Sequence, residues 1–108
     1  MESNDVIRSL AALAQPIRLE VFRALVVAGE AGLTPGTMAD ALSIPTNTLS
    51  FHLKELAGAG LVTSSRASRF LIYRADYARM AAVLGYLTEN CCGGTACAPI
   101  AATENTCC

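Results

Sequence analysis

A chain of 108 residues has room for one small domain, and with 53% apolar residues and few prolines its composition is that of a folded globule, which excludes a long disordered segment or a second core. The formal charge of −1 decides nothing about nucleic acid on average, but Arg66, Arg69, Arg74 and Arg79, half of the basic residues, crowd into one stretch opposed only by Asp76. The polar, acidic residues 1–5 lack the basic and apolar runs of a secretory signal, and no apolar stretch approaches a bilayer span, so the expected location is the cytosol with no membrane partner.

In chain order, Val6, Ile7, Leu10 and Leu13 recur at helical spacing and predict a first helix over residues 5–13, interrupted at Gln15-Pro16. Pro16 suits the first turn of a second helix whose apolar face is Leu19, Phe22 and Val26, flanked by Val21 and Leu25 and ended by Gly29 and Gly32. A third helix runs from Thr34 to about Leu42. Ser43-Ile44-Pro45 then turns tightly into a fourth over residues 46–58, with Leu49, Leu53 and Leu56 inward and Gly58 and Gly60 closing it. After Gly60 the period changes to alternation, predicting strands at residues 61–63 and 69–74 around a polar turn at residues 64–68. A last helix follows from Asp76, a suitable N-cap, with Tyr77, Met80, Leu84 and Leu87 at near-heptad spacing. Gly93, Gly94 and Pro99 break regularity in the tail.

The expected fold is therefore mostly α with one small β-hairpin, in the order α-α-α-α-β-β-α. Two short helices with a tight turn, the second followed by a basic hairpin, is the layout of a winged helix-turn-helix. In such a unit the second helix lays its first turns in the major groove, and this one opens with Thr46, Asn47, Thr48 and Ser50, then His52 and Lys54. Hydroxyl, amide and imidazole groups read base edges or bind phosphate, and Lys54 suits the backbone. Arg66, Ser68 and Arg69 fall near the hairpin tip, where a wing reaches a neighbouring groove or phosphate. Each of these residue types also suits a solvated helix face. Phe51 lies off the Leu49, Leu53, Leu56 stripe, where it either packs on a thymine methyl or folds back onto the domain. His52, the only histidine, has no second histidine to share a metal and is read as a DNA contact or an ordinary surface or capping group.

These segments resemble the ArsR/SmtB family of metal-sensing repressors. Residues 11–19, ALAQPIRL preceded by Ala11, look like that family's ALA-x-P-x-R-L signature, and residues 48–56, TLSFHLKEL, followed by AGLV at 59–62, look like its recognition segment. The wing, RFLIY at residues 69–73, is similar to the family's hairpin without its usual glycine. The resemblance covers about residues 6–88. It implies a homodimer formed by the first and last helices and an inverted-repeat, double-stranded DNA operator read by two copies of the fourth helix. Residues 1–90 are then the DNA-binding and dimerisation domain, and residues 91–108 a flexible cysteine-bearing segment.

The fold leaves the inducer open, because such proteins build sensors at different places on one scaffold. The family's frequent arsenic motif is absent, since residues 33–42 hold no cysteine, and Asp76 lacks the histidine partner of a zinc-type site on the last helix. All five cysteines, Cys91, Cys92, Cys97, Cys107 and Cys108, lie in the tail. In a reducing cytosol this concentration indicates thiol or metal chemistry rather than a disulfide framework, and neighbours about 3.8 Å apart at Cα are too close for ordinary bridge geometry. Soft thiolates select soft ions, and trivalent arsenic or antimony favours three sulfurs, which Cys91, Cys92 and Cys97 supply. The tail resembles the family's C-terminal arsenic-sensing subset, so the expected inducer is arsenic(III), inorganic or methylated, or antimony(III). Cadmium, lead or zinc remain alternatives, zinc needing a fourth ligand from Cys107 or Cys108, as do thiol oxidation and a tail with no role. A thiol enzyme fits poorly, because Cys91 and Cys92 follow a helix C-terminus beside Glu89, where a thiolate is disfavoured. A metal-buffering protein would explain the tail but not the helix-turn-helix.

Overall fold

The computed structural model describes residues 1–94. The chain runs through α1 (Ser3–Leu13), α2 (Pro16–Ala28), α3 (Pro35–Leu42), α4 (Thr46–Gly58), β1 (Val62–Ala67), β2 (Phe70–Ala75) and α5 (Tyr77–Leu87), with 3₁₀ turns at Gly29–Ala31 and Cys91–Gly94. This is the expected order, with α1 beginning earlier than its apolar period suggests. The helix starts follow from their caps. The side chain of Gln15 accepts from the Arg18 N–H at 2.8 Å, Thr34 from Thr37 at 3.2 Å and Asp76 from Arg79 at 3.0 Å, and proline occupies the first position of α2 and α3. The turn between α3 and α4 puts Ser43 in the left-handed region (φ 57°), and the Ile44 N–H reaches back to the Ala39 carbonyl at 3.1 Å.

The core is built where α2, α3 and α4 meet the base of the hairpin. Val21, Leu25, Met38, Leu49, Leu53, Leu56 and Leu61 are fully buried there. On α2 the inward stripe is Val21, Phe22 and Leu25, so Leu19, read from the sequence as inward, instead faces out. The helix is apolar nearly all round, and its period alone does not choose the face that meets α4.

The hairpin also departs from expectation. Its strands pair in the register Val62↔Ala75 through Ala67↔Phe70, which leaves only Ser68 and Arg69 in the turn. Beyond Val62 every residue of β1 is exposed, so both faces of the outer hairpin meet water and no alternation marks the strand. Ser68 has φ 60°, the positive value that two-residue hairpin turns require and that the family's glycine would adopt without strain.

Two glycines are fixed by close approach. Leu33 and Tyr73 exchange both backbone hydrogen bonds (3.0 and 2.9 Å), which pins the wing to the connection between α2 and α3. Immediately before this pair Gly32 has φ 67°, and a Cβ there would stand 2.5 Å from the Tyr73 carbonyl oxygen and 2.6 Å from Ile72 Cγ2. Gly32→Ala is therefore expected to lower the unfolding free energy by roughly 2 kcal/mol or more, from left-handed strain and overpacking together, readable as a lower urea midpoint. An unchanged midpoint would mean that this backbone crossing is not held in place. At the second glycine, Gly60 (φ 81°), a Cβ would lie 2.7 Å from Arg79 Nη2, so the guanidinium of α5 rests on the end of α4. The Asp76 N–H donates to the Leu61 carbonyl at 2.8 Å beside it.

Candidate nucleic-acid interface

Helix α4 buries Leu49, His52, Leu53 and Leu56. At 100° per residue the opposite side carries Asn47, Phe51 and Lys54, all exposed, with Ser50 exposed on one flank and Thr48 half-buried on the other. Thr46 is exposed in the first turn. That turn has no side-chain cap from Pro45, and within it the Asn47 carboxamide oxygen accepts from the Thr48 N–H at 2.9 Å. The amide-rich, partially positive end of α4 thus faces outward with hydroxyl and amide side chains around it, as a phosphate-binding helix start does.

His52 is placed otherwise than expected. It is only 7% exposed and its Nδ1 is buried without a hydrogen-bond partner, so the ring belongs to the inner face of α4 and is neither a surface nor a capping group. The signal was available: position 52 lies one turn from both Leu49 and Leu56, on the buried stripe. Phe51 resolves the other way. It is 56% exposed and touches the His52 ring edge-on, with centroids 5.4 Å apart.

The arginine cluster divides by partner. Arg74 donates through Nε to the Glu30 carbonyl and through Nη1 to Ser65 Oγ, both at 2.7 Å, and so braces the hairpin. Arg79 is occupied at Gly60. Arg66 and Arg69 sit exposed at the hairpin end with Ser68 between them, and Arg69 lies 6.0 Å from the Phe70 ring centroid. Neither makes an ion pair or hydrogen bond through its guanidinium among the described residues. Sequence reasoning missed the contacts that fix the reading helix from behind: the Arg8 guanidinium donates to the Gly58 carbonyl at 2.6 Å, and Arg18 lies 3.6 Å from Glu55. Both join residues distant in sequence, which local pattern does not reveal.

Away from α4, helices α1, α2 and α5 enclose an open apolar groove of about 340 Å³, lined among others by Leu10, Leu19, Val27, Leu84 and Leu87. Helix α5 buries only Val83, while Ile7, Leu10, Leu19, Val27 and Leu87 stand exposed. The surplus apolar surface expected on the first and last helices is present, and α2 adds to it.

Cys91 is half-buried in the 3₁₀ turn directly after α5, its N–H donating to the Thr88 carbonyl at 3.0 Å, and Cys92 follows in the same turn. Cys97, Cys107 and Cys108 lie outside the described residues. Among the described residues no three His, Cys, Asp or Glu side chains are grouped to hold a metal, and no helix is long and apolar enough to cross a membrane.

Known proteins carry the same arrangement. Residues 13–65 match the family described as a helix-turn-helix domain. The chain is 38% identical over 65 residues to the HTH-type transcriptional repressor SmtB of two Mycobacterium tuberculosis strains, an alignment over 60% of this chain and 46% of theirs, so it matches a little under half the length of these relatives. Among solved structures it is similar to an ArsR-like transcriptional regulator from Rhodococcus (TM-score 0.71, 27% identity, 79% of this chain and 77% of that one). It is also similar to the homodimeric winged helix-turn-helix DNA-binding domain of a possible ArsR-family regulator from Mycobacterium bovis (TM-score 0.64, 28% identity, 81% of each chain). The chain is thus a winged helix-turn-helix domain of the ArsR/SmtB family of transcriptional regulators, a family of DNA-binding proteins and not of enzymes.

Proposed function

We propose that this chain is an arsenic(III)-responsive transcriptional repressor, which binds an inverted-repeat operator as a homodimer and leaves it when trivalent arsenic or antimony is taken up by Cys91, Cys92 and Cys97. The observation that carries the DNA half is the open first turn of α4 beside a wing whose Arg66 and Arg69 have no ionic partner. In this reading Thr46, Asn47, Thr48 and Ser50 face bases and nearby phosphates, and Lys54, Arg66, Ser68 and Arg69 hold the backbone. His52, nearly closed off, acts from within the helix by fixing Phe51 and the stripe around it. The apolar groove over α1, α2 and α5 receives the second copy, in keeping with the homodimeric state named for the Mycobacterium bovis domain.

The sensor half rests on soft donors placed at the end of α5, the helix that borders this groove. Each thiol that joins arsenous acid replaces one hydroxyl and releases one water, so three cysteines account for all three hydroxyls with no redox change. DNA affinity falls by the ratio of the inducer's affinities for the free and the DNA-bound dimer.

The test is binding of the protein to DNA from upstream of its own gene, followed by anisotropy with arsenite, methylarsenite, antimonite, cadmium, lead, zinc or peroxide added in turn. Release by arsenite or its methylated form supports the proposal. Release by another agent alone replaces the inducer, and failure to bind that DNA or any selected sequence removes the repressor reading itself. On the same DNA, Arg66→Ala with Arg69→Ala is expected to lower the slope of log affinity against log salt by roughly 2, about 1 for each lost phosphate contact per protomer. An unchanged slope would take the wing out of the interface.

A further inference from the structure

On α4 the exposed side opposite the core has at its centre neither a charge nor a hydrogen-bonding group but the ring of Phe51, 56% exposed, between Asn47 one turn before it and Lys54 almost one turn after. An isolated exposed apolar residue needs no special account. This one is distinguished by three observations. It is remote from the apolar groove, none of whose lining residues belongs to α4, so a second copy seated there does not cover it. Its only ring contact is the edge of His52, which is itself 7% exposed and wedged into the core stripe, so the phenyl ring is backed by a fixed surface and turned outward. Its neighbours on the same face are an amide and an ammonium group, the types that meet an adenine edge and a phosphate.

We propose that Phe51 is a specificity-determining residue that reads the C5-methyl group of one thymine in each half-site. The inference rests on the reading of α4 as the helix that enters the major groove. The reasoning is one of elimination by chemistry. The base edges in that groove offer donors and acceptors at every pair, and the thymine methyl is the one apolar group among them. A phenyl ring laid over a guanine or cytosine edge would strip water from polar atoms and give no hydrogen bond in return. Laid over a thymine methyl it removes apolar surface from water on both partners. Asn47, one turn away, is suited to pair with adenine N6 and N7, so the two residues together favour A·T pairs.

The effect is that of burying about one methyl group, roughly fourfold in affinity per half-site and on the order of 15-fold for a symmetric pair. The experiment first selects binding sequences from a random double-stranded library with the native protein, then replaces each thymine of the selected sequence with deoxyuridine, which deletes only the methyl. One thymine per half-site is expected at which uracil costs about fourfold with the native protein and nothing with Phe51→Ala, whose fold is checked by its melting temperature. Restoring the methyl to a cytosine at that position, as 5-methylcytosine, is expected to recover part of the affinity lost on a T·A to C·G change. A selected sequence with no methyl-sensitive position overturns the assignment of Phe51 while leaving DNA binding by α4 intact. Methyl sensitivity that persists in Phe51→Ala gives the role to another residue, and a library that yields no enriched sequence overturns the DNA reading on which the inference rests.

Discussion

Leu10→Asp combined with Leu87→Asp is expected to yield a folded monomer that no longer retains operator DNA. Both side chains line the groove over α1, α2 and α5 and are 40% and 55% exposed in the single chain, so the substitutions cost the protomer little. In a two-fold dimer the same positions occur twice, and four carboxylates would then replace four apolar side chains at one interface. With roughly 1.5–3 kcal/mol lost for each buried leucine, before any penalty for burying charge, dimer dissociation should rise by at least about four orders of magnitude. Sedimentation velocity at micromolar concentration reads the result directly. A variant that remains dimeric would show that the two copies meet elsewhere.

The second large effect concerns the cysteines. Replacing Cys91, Cys92 or Cys97 singly by serine is expected to leave operator affinity unchanged, because none lies on α4 or the hairpin. The drop in affinity on adding arsenite, about 5- to 150-fold if the coupling is of ordinary size, should shrink toward none. A serine hydroxyl is a hard donor that stays protonated at neutral pH, and it leaves at most two sulfurs in the set. Cys107→Ser and Cys108→Ser should respond nearly as the native chain does, since these residues lie ten or more positions beyond Cys97 and have less purchase on α5. A chain ending at Glu89 should stay on its operator at any arsenite concentration. Release surviving in that truncated protein would place the sensor outside the tail.

What the sequence disclosed and what it hid follow from the kind of physics at each position. Helix starts were legible because Gln15-Pro16, Thr34-Pro35 and Asp76 act within a single turn. The outer hairpin was not, because strands wet on both faces carry no alternation, and its turn depends on the left-handed Ser68, where a glycine would have announced it. The faces of α2 were ambiguous for the opposite reason, an excess of apolar residues that serves both a core and an open groove. On α4 the polar residues were found but not sorted, and only the packing separates Phe51, turned out, from His52, turned in. The basic cluster was likewise visible as a cluster, yet Arg74 and Arg79 are occupied by partners distant in the chain.

The joint at Gly60 and Leu61 has a mechanical consequence. With the Arg79 guanidinium filling the space over Gly60 and the Asp76 N–H tied to the Leu61 carbonyl, the near end of α5 has no play against the end of α4 or the start of β1. Helix α5 is then a stiff arm of roughly 16 Å, with this joint as pivot and the Cys91 turn at its tip. A shift of about 1 Å at the tip tilts the arm by roughly 4°, and across the 34 Å or so between half-sites that angle amounts to about 2 Å. Hydrogen bonds to base edges fail over a much smaller misfit. The lever is geared in favour of the small event, so a modest rearrangement at the helix tip suffices to put two reading heads out of step with their DNA.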